Sequence, residues 1–293
     1  MPFAATLKTR LLLPMRRRLR PLVEVPTADG IKMTVDVRDV EIGTKLYLGR
    51  AYERAFIELL RHAQLDGRIA VDVGANIGLY TLPLSRYTGP RGRVFAFEPE
   101  HHNFELLSRN IELNGAVNVT AIEAAASDRN GHAPLALSPT NYGDHYVVSK
   151  PGAAGPSARL VTLDDTLAST LPGSVGVIKI DVQGHEPAVL RGARETLARN
   201  PGAVILIELA PRLLQRGGYS AAELLEIVRD FHLSGWEINS YRISPIAEPS
   251  IYDAILDSNE ETLILCRDPD VLRALLSRYY QTEIPPAANC LPC

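Results

Sequence analysis

The chain has 293 residues, 46% of them hydrophobic and 22% charged, with a formal net charge of −3. That length and apolar content suffice for a full core, in one large domain with attachments or in two small ones. The near-neutral balance argues against nucleic acid as a partner, since neutralising phosphates requires a basic surface.

Three cysteines, Cys266, Cys290 and Cys293, make neither a disulfide framework nor a structural zinc set. Cys290-x-x-Cys293 follows Pro285-Pro286 without strand–helix–strand context, so 283–293 is expected to be a tail. No apolar run approaches the roughly 18–20 residues of a membrane span. Leu11-Leu12-Leu13 is too short for a secretory core and lacks a cleavage site, so a cytoplasmic protein without a transmembrane segment is expected.

The chain begins with a basic arm: Lys8, Arg10, Arg16, Arg17, Arg18 and Arg20, with no acid among the first 22 residues. Such an arm is either solvated or a weak peripheral contact for an anionic membrane or an acidic partner. Apolar residues then alternate at Val23 and Val25, and again at Ile31, Met33, Val35 and Val37, with Asp29-Gly30 between the runs. That pattern predicts a β hairpin, making 1–48 an arm-plus-hairpin extension ahead of a domain spanning 49–282. Ala55, Phe56, Leu59, Leu60 and Ala63 place a helix within 51–64.

The organising stretch runs from Ile69 to Tyr80: an apolar strand with Asp72 near its end, then Gly74, Asn76 and Gly78, then an apolar helix start. Strand, glycine turn and helix present backbone N–H groups and a carboxylate to a nucleotide. The dinucleotide fingerprint needs a third glycine and a closer first pair. This spacing suits a nucleoside carrying an amino acid, which points to S-adenosylmethionine (SAM).

A second strand, 93–97, ends at Glu98-Pro99, 26 positions beyond Asp72. At that interval the carboxylate of Glu98 is placed to accept both ribose hydroxyls. A helix over 100–113 is closed by Asn114-Gly115, and a third strand over 117–126 runs into a turn at Ser127. Ser127 is a candidate for reading an adenine amino group, although a turn serine is equally explained by local capping. Residues 132–163 form a Gly/Pro/Ser-rich excursion, flanked by short strands and tipped by Asn141, Tyr142, Asp144, His145 and Tyr146. It is either a lid over a cleft or a disordered insert.

A continuous apolar strand over 175–182 contains Lys179 and Asp181, both costly to bury unless paired or functional. A helix over 187–199, a strand over 203–209 with Glu208 near its end, a helix over 221–231, strands near 236–240 and 261–266, and a helix over 269–280 complete the chain. This alternation predicts a doubly wound α/β sheet of seven strands, mostly parallel.

These residues carry a family resemblance. Asp72-Val-Gly-Ala-Asn76-Ile-Gly78, Phe97-Glu98-Pro99, Asn110-x-x-Leu113-Asn114-Gly115, Ile178-Lys-Ile-Asp181-Val-Gln-Gly184-His-Glu186 and Leu190-x-Gly192-Ala193 resemble the FkbM-type methyltransferases. Gly49-x-x-Tyr52-Glu53 is similar to that family's lead-in. The resemblance implies a class I (Rossmann-like) SAM-dependent methyltransferase sheet with a reversed last strand, and methyl transfer to a hydroxyl of a sugar, polyketide, peptide or other natural product. It also implies that Asp72, Gly74, Asn76 and Gly78 line the methionine side of SAM, that Glu98 holds the ribose, and that Asp181 faces the reaction centre. The family often carries Glu where this chain has Gln183.

A hydroxyl acceptor must lose its proton as the new bond forms, and Asp181, His185 and His145 are the candidate bases, with Lys179 tuning or pairing Asp181. His185 is equally well explained as part of a helix cap. A rival arrangement makes Asp181 and Glu208 oxygen ligands for Mg²⁺. The other functions weighed are N- or C-methylation on the same fold, a non-catalytic SAM-binding subunit, and an NAD-dependent oxidoreductase. The last lacks its pyrophosphate cradle.

Overall fold

Near-continuous apolar runs fit strands covered on both faces, and four such runs make the centre of this molecule. The computed structural model describes residues 12–27, 29–50, 54–148, 154–239, 242–245 and 261–283. Cys290, Cys293, Lys8, Arg10, Tyr52 and Glu53 lie outside the described residues.

Strands β1 (Leu22–Pro26) and β2 (Lys32–Asp36) pair antiparallel as the predicted hairpin, with Gly30 at φ +70° in its turn. The central sheet takes β3 (Ile69–Val73), β4 (Arg93–Phe97) and β5 (Val119–Ile122) from the first half of the chain. β6 (Ala125–Ala126) precedes the excursion, whose flanks and interior supply β7 (Gly131–Ala136), β8 (Tyr146–Val147) and β9 (Ser157–Val161). From the second half come β10 (Val175–Ile180), β11 (Val204–Leu209), β12 (Ser234–Asn239), β13 (Arg242–Pro245) and β14 (Glu261–Cys266).

The central sheet has the order β13-β12-β14-β11-β10-β3-β4-β5. Its block from β11 to β5 is parallel, while β14 runs against both β11 and β12. All seven expected strands are present with the last one reversed. An eighth, β13, pairs with β12 at the outer edge. The expected third strand stops at Ile122, and Ala125–Ala126 leaves for a separate four-stranded sheet, β6-β9-β7-β8. The excursion is thus built on a small sheet, with residues 137–145 as a loop between two of its strands.

Alternation along each strand feeds two cores. Val71, Val73, Ile178, Ile180, Ile205 and Ile207 pack with residues of the helices at Glu186–Arg191, Arg194–Arg199 and Ala221–Asp230. Ala70, Val177, Val204 and Leu206 pack on the other face with Leu59, Leu60, Leu272 and Leu275. A third cluster joins the hairpin residues Met33, Val35 and Val37 to Ile77, Leu82 and Leu106 of the sheet layer.

The helix expected over 187–199 is two helices broken at Gly192. A Cβ there would sit 1.9 Å from the Ser127 carbonyl oxygen, so only glycine lets the chain pass. Asp164 then accepts the backbone N–H groups of Glu195 and Thr196, capping the second helix from outside. A further helix, Pro211–Gly217, has no counterpart in the sequence reading. It starts on a proline and ends at Gly218 in the left-handed region, φ +90°.

Candidate active site

A parallel sheet delivers its strand ends, and the residues just beyond them, to one edge. Here β3, β4, β10 and β11 bring Gly74, Glu98, Asp181 and Glu208 to a single cleft. The cleft holds about 1170 Å³ of unfilled space, part of it open to solvent. Gly74 has φ +76°, and a Cβ at this position would lie 1.8 Å from the Asp181 carbonyl oxygen. The glycine is therefore required for β3 and β10 to leave the sheet side by side. Asn76 also adopts the left-handed region, φ +49°, which asparagine tolerates.

Glu98 is 4% exposed and lines the cleft. Its Oε2 accepts the Asn76 backbone N–H at 2.8 Å and its Oε1 that of Glu100 at 2.9 Å. Burial pushes the carboxyl up to about 7 despite those two hydrogen bonds. Each oxygen retains a lone pair for a ligand hydroxyl. Asn103, 1% exposed, lines the same wall; its Nδ2 donates to the Tyr142 carbonyl at 2.9 Å, while its Oδ1 accepts no hydrogen bond among the described residues. A buried acceptor without a donor, on the same wall as a carboxylate, is an acceptor set that the hydroxyls of a ribose would complete.

Lys179 ties the floor together. Its Nζ donates to the Gly74 carbonyl at 2.8 Å and stands 3.5 Å from both Asp72 Oδ1 and Asp181 Oδ2, above the Tyr80 ring. Burial alone would raise the Asp181 carboxyl, but the Lys179 ammonium and hydrogen bonds with Glu208 and Gln183 hold it below the usual carboxylate range. Gln183, strained at φ +57°, donates its amide to Asp181 Oδ1 at 2.9 Å and to Glu208 Oε2 at 3.2 Å.

The magnesium arrangement fits this set poorly. Asp181 and Glu208 do come together, but the Gln183 amide presents its N–H donors to both carboxylates. Among the described residues no group of three or more His, Cys, Asp and Glu side chains is placed to hold a metal.

Several expected positions fall behind the cleft wall. Asp72 is fully buried, accepts the Thr81 hydroxyl at 2.6 Å and does not line the cleft. Gly78, φ +100°, packs toward Leu107 instead. Ser127 is buried outside the cleft, with its Oγ 3.0 Å from His185 Nε2 and 3.2 Å from Asp128 Oδ1. His185 has one edge on the cleft, yet Ser127 and the Tyr219 hydroxyl engage its two nitrogens, and burial lowers it to about 4. It is a neutral internal side chain. His145 accepts the Ser138 backbone N–H on Nδ1 at 3.0 Å, which leaves Nε2 as the protonated nitrogen and a donor.

The roof is the loop from Ser138 to Val147, and its attachments were not readable from sequence. The Tyr142 carbonyl accepts from both Asn76 Nδ2 and Asn103 Nδ2. Arg216, from the unforeseen helix, donates to Asp144 Oδ1 at 2.6 Å and covers the Tyr146 ring at 4.1 Å. The N-terminal extension completes the wall: the Val40 N–H donates to the Thr140 carbonyl, and Glu41 and Ile42 line the cleft.

The sequence profile of the methyltransferase FkbM domain matches residues 72–233, more than half of the 293. Methyltransferase sdnD of Sordaria araneosa is 30% identical, over 43% of this chain and 60% of that protein. Hexuronic acid methyltransferase AglP of Haloferax volcanii is 28% identical, over 50% of this chain and 58% of that protein. The chain thus spans about three fifths of the length of these curated relatives. A crystal structure of a methyltransferase FkbM from Methylobacillus flagellatus aligns at TM-score 0.43 and 18% identity, over 68% of this chain and 43% of that one; the likeness is loose and the fold assignment does not rest on it. By the profile match across the strands and loops that build the cleft, the chain belongs to the FkbM methyltransferase family.

Proposed function

We propose that this chain is a SAM-dependent methyltransferase acting on a hydroxyl of a sugar, polyketide, peptide or other natural-product acceptor. The observation that carries the reading is the convergence of two carboxylates on one cleft, Glu98 with Asn103 and Asp181 with Lys179. A relative named for hexuronic acid supports the carbohydrate end of the range.

When bound, SAM supplies a methyl group on a sulfonium that departs as a neutral thioether. Glu98 and Asn103 would hold the ribose, and the Gly74–Asn76 turn would face the amino-acid end. Asp181, kept ionised by Lys179, accepts a hydrogen bond from the acceptor hydroxyl and aims its oxygen. A carboxylate of lowered pKa is a weak base, so it orients the hydroxyl first and takes the proton late, as the C–O bond forms. The roof loop would keep bulk water from the cleft.

Calorimetric titration tests both assignments. Glu98→Ala should abolish SAM binding while the circular dichroism spectrum stays unchanged; retained affinity would remove the ribose assignment. Asp181→Asn should bind SAM nearly as well as the parent and lose most turnover, and an active Asp181→Asn enzyme would take Asp181 out of the mechanism. Heat on titration with NAD in place of SAM would transfer the chain to the oxidoreductases.

A further inference from the structure

Seven large apolar side chains are exposed among the described residues, and four of them, Leu12, Met15, Leu19 and Leu22, lie within one short stretch of chain. They surround the helix Leu13–Leu19. The inward side of that helix is occupied: Leu13 is 7% exposed in the hairpin core, and Arg17, one turn on, donates to the Val37 carbonyl at 2.7 Å and to Thr44 Oγ1 at 3.0 Å. The helix is therefore docked in a fixed rotation. At about 100° per residue, Leu12, Met15 and Leu19 share the opposite side, with Arg16 about 40° and Arg18 about 60° beyond the stripe on its two flanks. Arg18 and Arg20 are exposed and Arg16 is partly so.

We propose that this face is a peripheral docking surface for an anionic lipid bilayer. An apolar stripe bordered by arginines is the arrangement an interfacial helix uses, with the stripe entering the headgroup–acyl boundary and the guanidiniums reaching phosphates. Charge favours a membrane over a second copy of the chain. A two-fold contact through this patch would set Arg16, Arg18 and Arg20 against their own images. The first acid in the chain is Glu24, so the whole stretch before it is cationic. Arg17 joins this helix to Thr44, two residues beyond Ile42 of the cleft wall. The inference does not depend on the reaction proposed above.

The test is vesicle flotation of the full chain. Vesicles of phosphatidylcholine with about one third phosphatidylglycerol should carry the protein up, pure phosphatidylcholine should not, and 0.5 M salt should release most of it. Each arginine near an anionic surface is worth about fivefold in partitioning, so Arg16→Glu with Arg18→Glu should weaken binding by on the order of 100-fold or more. Met15→Glu with Leu19→Glu should abolish it, with the circular dichroism spectrum and melting temperature unchanged as a control for folding. No flotation on anionic vesicles, or flotation that survives both double variants, overturns the proposal. So does a solution dimer that Leu19→Glu dissociates, which would give the face to a second copy.

Discussion

Glu98 illustrates how one side chain can link stability and pH. Its carboxyl lies above the ordinary 4.5, at about 7, because burial disfavours the charge. Between those two values the folded chain holds a proton that the unfolded chain has released, so stability falls as pH rises through the window. Comparing chemical denaturation at pH 5 and pH 8, the parent should lose about 2–3 kcal/mol more than Glu98→Gln, whatever the variant's offset at either pH. Glu186, also raised to about 7, and His185, lowered to about 4, are present in both proteins and cancel. Equal losses would mean that Glu98 ionises without penalty. Gly74 makes the complementary case for backbone. A methyl group there meets the Asp181 carbonyl at 1.8 Å, so Gly74→Ala should abolish soluble expression or lower the melting temperature by more than ten degrees, whereas Gly115→Ala, with open space around it, should cost only the roughly 1–2 kcal/mol of a left-handed backbone at φ +60°.

At the scale of elements, the helix His101–Leu113 joins the hairpin to the sheet through its asparagines. Asn110 accepts the Thr34 N–H on Oδ1 and donates Nδ2 to the Thr34 and Ile77 carbonyls. Asn114, one turn on, does the same for both backbone groups of Lys32. Asn110 is fully buried, so Asn110→Ala should cost about 3 kcal/mol in urea unfolding by stranding three backbone groups. Asn114→Ala, whose bonds to Lys32 are exposed, should cost about 1 kcal/mol or less. The roof loop yields a kinetic prediction. Arg216→Ala removes the partner of Asp144 and the cover of Tyr146, so the acceptor KM should rise with SAM affinity unchanged; an unchanged KM would make the loop independent of Arg216.

For the whole molecule, the hairpin shares a core with Ile77, Leu82 and Leu106, so it should melt with the sheet. Calorimetry on Met33→Ala should show one transition, shifted down by several degrees and not split in two. Much of this architecture was legible in sequence, because near-continuous apolar runs at 69–73, 175–180 and 203–209 have few other ways to be buried. The position of Glu98 and Asp181 at the cleft was legible because strand ends converge. The roof was not: its hold depends on one carbonyl, Tyr142, meeting two amides distant in sequence. Ser127 and Asp72 had the right residue types for ligands but face inward, and no local pattern distinguishes inward from clefted at a strand end. Asn114 read as a helix stop and is one, yet its second role toward Lys32 needed the hairpin's position.

The asparagine pair has one further consequence. Where β2 would otherwise offer bare N–H and C=O groups to a stranger's chain, two amides on a helix stand in for a neighbouring strand at Thr34 and Lys32. This protein's resistance to clumping in a crowded solution should therefore rest on side chains, and a variant lacking both amides should seed intermolecular β-ladders before it loses its shape.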